Sequence, residues 1–308
     1  MNITLVQGNV THVLIQSEKY DLLFRTILMM VTLITFLLFL CFNGALLSVF
    51  FTTPHIQENS RYILFAHILI TDTLYLTLGT LVLFSILNDV YFPTPFCLFI
   101  LAAAATSFRV TPYNLAVMSL ERYVAICFPL RHFEFCTARR AKSAMVVIWA
   151  VGFSPSIADF VTIVYSVERN FFSRAVLCTH LMLTISPLQN VIRSFVHILS
   201  FTLVALIILF TYVKVMLVAK RLGSQESSAL KAAKTVLLHV FQLMLCMVAF
   251  ISTVLETTIA DYNTTLRVSG FLIFTCLPRF LSPLIYGMRD EVFRKYIRKL
   301  YHISPLVP

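Results

Sequence analysis

Seven stretches of the chain are almost continuously apolar: residues 24–51, 62–87, 96–127, 143–165, 191–219, 232–255 and 266–286. At a helical rise of 1.5 Å per residue, roughly 20 such residues cross the hydrocarbon of a bilayer, so each stretch predicts a spanning helix. The third and fifth are long enough to tilt or to project beyond the hydrocarbon. Polar residues are confined to short connections, which leaves room for one membrane domain. The pattern predicts an all-α membrane protein: an extracellular N-terminus over residues 1–23, a seven-transmembrane helix bundle over 24–287, and a tail over 288–308. In the tail, Phe293, Tyr296, Ile297 and Leu300 recur at helical spacing opposite Arg294, Lys295, Arg298 and Lys299. That reads as a short amphipathic helix on the cytoplasmic leaflet, or else as a frayed basic tail.

Composition agrees with lipid as the solvent, since 59% of the residues are hydrophobic and only 12% charged, too few to solubilise a water-soluble domain. The net charge of +10 has a topological cause. Sixteen Lys and Arg fall in connections or span ends on one side of the predicted bundle and six on the other, with Arg109 and Arg279 left deep inside the spans. By the positive-inside rule the N-terminus is outside and the tail inside, and nucleic acid is not the partner. The first twenty residues lack the basic stretch, apolar core and small-residue site of a removable signal, so the first span is expected to direct insertion. Asn2, Asn9 and Asn263 open glycosylation sequons, all on the outer side. The seven cysteines are dispersed without metal-ligand spacing, so neither metal nor cofactor is expected. No Ser/His/Asp set, phosphate-binding Gly loop or HExxH motif suggests an enzyme.

The third span ends Met118-Ser119-Leu120-Glu121-Arg122-Tyr123-Val124-Ala125-Ile126-Cys127-Phe128-Pro129-Leu130-Arg131-His132. This resembles the MAxxRYVAICxPLRY signature of vertebrate odorant receptors, within the rhodopsin class of G-protein-coupled receptors. The seventh ends Leu281-Ser282-Pro283-Leu284-Ile285-Tyr286, which is similar to that family's NPLIY run, with Ser282 in place of Asn. Asn43, Asp72, Trp149, Tyr212 and the stretch from Lys231 to His239 match in the expected order. Glu121 in place of aspartate and the Leu277-Pro278-Arg279-Phe280-Leu281-Ser282-Pro283 run look most like the odorant receptors of aquatic vertebrates.

The resemblance implies a small-molecule odorant ligand, a heterotrimeric G protein of the stimulatory olfactory type, and residence in the plasma membrane. It also implies a Cys97–Cys178 disulfide and a latch at Glu121, Arg122 and Tyr123. In such a latch an arginine held at rest by its acidic neighbour is released when the helices part. Tyr212, Pro283 and Tyr286 would act with it, Pro283 by kinking its helix.

Charges inside the bilayer need a partner or a job, because each costs on the order of 2.5–3.5 kcal/mol at the centre even on the lenient insertion scale. Asp72 and Arg279 fall at comparable depth. In related receptors the acid matching Asp72 commonly helps bind sodium, yet Thr111 stands where odorant receptors typically supply a second carboxylate. Two arrangements are open: Arg279 replaces the ion as a built-in counter-charge, or internal water solvates each charge separately. Asn43, Asp72, Thr111, Arg279 and Ser282 are therefore the candidate internal polar switch.

Arg109 lies twelve residues beyond Cys97, at the depth where this class holds its ligand. Its guanidinium suits an anionic odorant through two parallel hydrogen bonds, or else it pairs with Asp159 or Glu256 and never meets ligand. The other ligand candidates are placed by helix position alone: Ala104, Ala105, Phe108, His197, Ser200, Met247, Ser252 and Cys276. Each is more often ordinary bundle packing, and His197 more often a satisfied structural histidine. Cys276 stands where a retinal-binding receptor needs its lysine, and Ala104 where an amine receptor usually places aspartate, so neither chemistry is available. Another rhodopsin-class chemosensory receptor is the nearest alternative. A transporter or channel would account for the buried charges but predicts internal repeats that are not seen.

Overall fold

The computed structural model describes residues 3–179, 187–221, 237, 240, 241, 244, 247, 269–277, 279 and 280. In chain order these form α1 (Ile3–Thr52), α2 (Pro54–Gln57), α3 (Ser60–Leu87), β1 (Tyr91–Pro93), α4 (Thr94–Cys127), α5 (Pro129–Phe135), α6 (Ala138–Ser166), β2 (Ala175–Leu177) and α7 (Pro187–Arg221). A π-helical stretch, Phe271–Cys276, follows. Five of the seven expected spans lie in the described residues, as α1, α3, α4, α6 and α7. The described positions between 237 and 247 are helical and belong to the expected sixth span, and the π stretch to the seventh. The tail, with its amphipathic pattern, lies outside the described residues.

The helices begin earlier than hydropathy marks them. α6 starts at Ala138 and not at 143, and Arg139, Arg140 and Lys142 are part of it. Hydropathy marks the hydrocarbon, whereas a helix continues until a cap stops it. Here Thr137 Oγ1 accepts from the Arg140 amide at 3.3 Å. Asn59 does the same for α3, accepting from the Arg61 amide at 3.0 Å. A backbone bridge between Asn59 and Thr137 sets the two caps side by side. At the other end of the chain, α1 is already helical from Ile3, inside the segment read from sequence as a separate N-terminus; its apolar span is Leu23–Thr52. Asn9 falls within this helix, while Asn2 and Asn263 lie outside the described residues.

α4 occupies the centre of the bundle, packed on α3, α6 and α7, with α1 against α3. The largest apolar cluster joins α1, α3, α4 and α7 through Leu46, Leu64, Ile68, Leu115, Phe201 and Val204. Faces turned outward carry exposed Leu33, Phe99, Val146 and Ile192, as lipid-facing helices must. Several hydroxyls are satisfied within their own helix: Thr71 donates to the His67 carbonyl at 2.7 Å, and Thr73 to that of Leu69 at 2.7 Å. Pro155 lacks the N–H that would bond the Val151 carbonyl, and the Ser154 hydroxyl donates to it instead at 2.9 Å. Between helices, Trp149 Nε1 donates to His67 Nε2 at 2.8 Å, which fixes His67 as the tautomer with its proton on Nδ1.

At Gly152 α6 comes close to α4. A Cβ there would lie 2.9 Å from Val110 Cγ2, whereas one on Gly44 would meet nothing within 4 Å. Gly152→Ala is expected to cost about 1–3 kcal/mol through overpacking. Gly44→Ala, in open space on α1, should be neutral or stabilising by up to about 1 kcal/mol. Thermal unfolding of the two detergent-solubilised variants checks the contrast.

Candidate functional site

The polar groups of the bundle gather at four levels. At one end the antiparallel pair β1–β2 aligns Tyr91 with Leu177 and Pro93 with Ala175. The Thr94 amide and hydroxyl both donate to the Arg174 carbonyl, at 3.0 and 2.8 Å. Cys97, in the first turn of α4, is disulfide-bonded to Cys178, just past β2, with the Cα atoms 5.5 Å apart. The connection between α6 and α7 is thereby fastened over the end of α4.

One level deeper, Arg109 is 5% exposed and turned toward α6. Its Nε donates to the Gly152 carbonyl at 2.8 Å, and its Nη2 to Ser156 Oγ and, at 3.4 Å, to Thr106 Oγ1. Of the two acids considered for Arg109, Asp159 makes no ion pair with it. Asp159 receives other donors, Arg193 Nη2 at 2.9 Å and Gln189 Nε2 at 2.8 Å. Glu256, the other acid considered, lies outside the described residues. The reason is local: the close approach at Gly152 and the kink-prone Ser154-Pro155 segment bring a backbone carbonyl and a hydroxyl within reach of the guanidinium. No sequence motif announces a carbonyl as the partner of a buried arginine.

Around it, Tyr113 Oη donates to Ser200 Oγ at 2.8 Å, and His197 Nδ1 donates to the Arg193 carbonyl at 2.7 Å. Ala104 is buried and Ala105 half-buried on α4. Phe108 and Met247 pack against the apolar cluster that contains Phe201. Ser252 lies outside the described residues. Of the ligand candidates, the structure thus groups Phe108, Ser200 and Met247 about one cluster.

The third level is a buried ion pair. Asp72 is 0% and Arg279 3% exposed, and Arg279 Nε donates to Asp72 Oδ1 at 3.1 Å. Thr111 Oγ1 donates to the same oxygen at 3.2 Å. The guanidinium carbon lies 3.8 Å from the centroid of the Tyr75 ring and 5.6 Å from that of Phe108, positions that add cation–π attraction. Tyr75 is a residue the sequence reading missed, although its place three residues after Asp72, on the same helix face, was a usable signal. Asn43 Nδ2 donates to Thr73 Oγ1 at 3.0 Å, tying α1 to α3 beside the pair. Cys276 is buried with Phe39 and Leu76 and takes part in apolar packing. Ser282, Pro283 and Tyr286 lie outside the described residues.

At the far end of α4, Glu121 Oε2 is 3.6 Å from Arg122 Nε, and Glu121 Oε1 is 3.2 Å from His132 Nε2. The carboxylate is shared between its neighbour on α4 and an imidazole on α5. His132 is the second missed residue; it stands where the resembling signature carries tyrosine, and that departure was its signal. Tyr123 packs edge-on against Phe128 and Phe210, and Tyr212 lies against the main apolar cluster.

Arg109 donates to three protein acceptors, the Thr106 contact being long at 3.4 Å; Arg109→Leu is expected to lower stability by on the order of 3 kcal/mol, the two closer charge-assisted bonds at about 1.5 kcal/mol each. Thermal unfolding of the purified variant measures it, and an unchanged midpoint would contradict a structural role.

The sequence profile described as 7 transmembrane receptor (rhodopsin family) matches residues 42–286. Among curated proteins, the chain is 29% identical to Odorant receptor 131-2 of Danio rerio over 82% of this chain and 78% of that one. It is 28% identical to Olfactory receptor 51E1 of Homo sapiens, over 62% of this chain and 61% of that one. To Olfactory receptor 6C6 of Homo sapiens it is 27% identical, over 65% of each. The alignments thus span less than two thirds of the two human relatives. With the family profile running from the first apolar span to the last, this chain belongs to the rhodopsin family of seven-transmembrane receptors.

Proposed function

We propose that the chain is an odorant receptor of the plasma membrane that binds a small molecule from the extracellular side and activates a heterotrimeric G protein. The observation that carries this reading is the set of relatives named odorant or olfactory receptors, together with the shared Glu121 carboxylate at the end of α4 opposite the disulfide. In this reading the Cys97–Cys178 end faces outward, which the distribution of Lys and Arg supports. Odorant binding between the two ends favours the arrangement in which Glu121 lets go of Arg122. A ligand shifts that balance only by its differential affinity for the two arrangements. The G protein is of the stimulatory olfactory type, and activation raises cyclic AMP.

The ion pair is the internal polar switch of this receptor. A sodium ion has little to gain at Asp72, because one carboxylate oxygen already accepts from Arg279 and Thr111, and a fixed positive charge stands beside it. The guanidinium neutralises the acid from within, and no step of activation is routed through an ion. Breaking such a pair from one side leaves a charge buried alone, at a cost of about 3–5 kcal/mol.

Two measurements test these statements. Cells expressing the receptor, exposed to acidic, amine and neutral water-soluble odorants, are expected to raise cyclic AMP in a dose-dependent way for at least one class. Arg122→Ala should abolish that response at unchanged surface density. Ligand-evoked ion flux that survives Arg122→Ala would replace the receptor reading with a channel or transporter. For the switch, Asp72→Asn and Arg279→Gln are each expected to reduce surface expression severalfold, and the double variant to recover part of the loss. Additive losses would remove the support for a functional pair.

A further inference from the structure

Two contacts join the seventh span to α3, and the two helices count different numbers of residues between them. Phe271 meets α3 at Gly79, where an added Cβ would lie 2.8 Å from Phe271 Cε2, and Arg279 meets it at Asp72, 3.1 Å away. Along α3 the contact points are seven residues apart, and along the seventh span they are eight. Seven residues of α-helix turn through about 700°, roughly 20° short of two full turns, so Asp72 and Gly79 share a face. Eight turn through about 800°, which would leave Phe271 and Arg279 on faces about 80° apart.

The π-helical stretch takes up the difference. The Leu277 amide bonds the Leu272 carbonyl, five residues back instead of four, so this turn holds one residue more than an α-helical one. Inward positions accordingly recur every four residues, at Phe271, Thr275 and Arg279, while Ile273 and Leu277 are exposed. The start of the stretch is held by packing, since Phe271 and Leu272 lie against Met29 of α1 and Leu83 and Leu87 of α3. Pro278, which follows in the sequence, has no N–H to close an α-helical bond onto the Phe274 carbonyl.

A turn with a spare residue can exchange its hydrogen bonds for α-helical ones. With Phe271 still seated at Gly79, that exchange swings Arg279 about 80° away from Asp72. We propose that the π-helical stretch is the joint of the Asp72–Arg279 switch: it holds the guanidinium on the acid, and its conversion to α-helix parts the two while Phe271 stays in place. The use of the pair as a switch rests on the function proposed above, and the register of the two helices does not.

The test removes the spare residue from the full-length receptor by deleting Ile273, an exposed position of the π-helical stretch. Seven residues then separate the two contacts, as on α3, and a plain α-helix satisfies both. Surface density is expected to stay within twofold of the parent's. Arg279→Gln should cost the shortened chain as much density as it costs the parent, because the pair persists. Deleting Leu74, an exposed position of α3 between Asp72 and Gly79, takes a residue where there is none to spare and should lower density severalfold. With its joint gone, the Ile273 deletion should also lose most of the odorant-evoked cyclic AMP at that density. Equal losses of density in the two deletions overturn the proposal, and so does an Ile273 deletion whose dose-response matches the parent's. The density measurements need neither odorant nor G protein. A parent that answers no odorant therefore counts against the receptor reading, while the two deletions still decide the register.

Discussion

Lipid cannot form hydrogen bonds, and every polar atom carried into it by a spanning helix must find a partner within the protein. The helices meet this for their own backbones, but the side chains require contacts between helices, and those contacts fix the bundle. Trp149 with His67 joins α6 to α3, Asn43 with Thr73 joins α1 to α3, and Tyr113 with Ser200 joins α4 to α7. Hydrophobic burial alone gives neighbouring helices little reason to prefer one rotation over another, since acyl chains are as apolar as leucine. The polar ties supply that preference.

The three most buried charged side chains among the described residues are accommodated by different physical means. Asp72 and Arg279 neutralise each other, and Tyr75 adds the negative face of its ring. Arg109 is solvated by a carbonyl and hydroxyls, much as water would solvate it, with no carboxylate among the described residues in direct contact. These solutions have different mechanical properties. An ion pair between distant segments is two-sided and separates when the segments move, whereas an arginine solvated by one neighbouring helix behaves as a permanent rivet. This is why the first suits a switch and the second a frame.

Much of the architecture was legible in the sequence because lipid imposes a coarse rule: apolar runs of sufficient length become helices. The pairing of charges at equal depth was also legible, since helical rise converts residue number into height. What stayed hidden depends on rotation and close approach. Arg109 was read as facing ligand or an acid because its depth was known and its azimuth was not; Gly152, which sets the azimuth by letting α6 come near, looks like any glycine in an apolar run. α5 was hidden because seven residues that open on a proline carry too little periodicity to distinguish a helix from a loop. Its His132 became meaningful only when the turn after α4 brought the imidazole back to Glu121.

The Asp72–Arg279 contact spans 207 residues of sequence, and this has a bearing on how the protein is made. At translation rates of about 5–20 residues per second, roughly 10–40 seconds separate the emergence of the acid from that of its partner. For that interval Asp72 enters the bilayer with Thr111 as its only described protein partner besides the missing arginine. The nascent chain is thus most vulnerable just before its last helix arrives, and a polypeptide stopped short of residue 279 carries an orphaned acid in its core. Until the seventh helix arrives, the first six therefore carry an acid whose built-in counter-charge is missing.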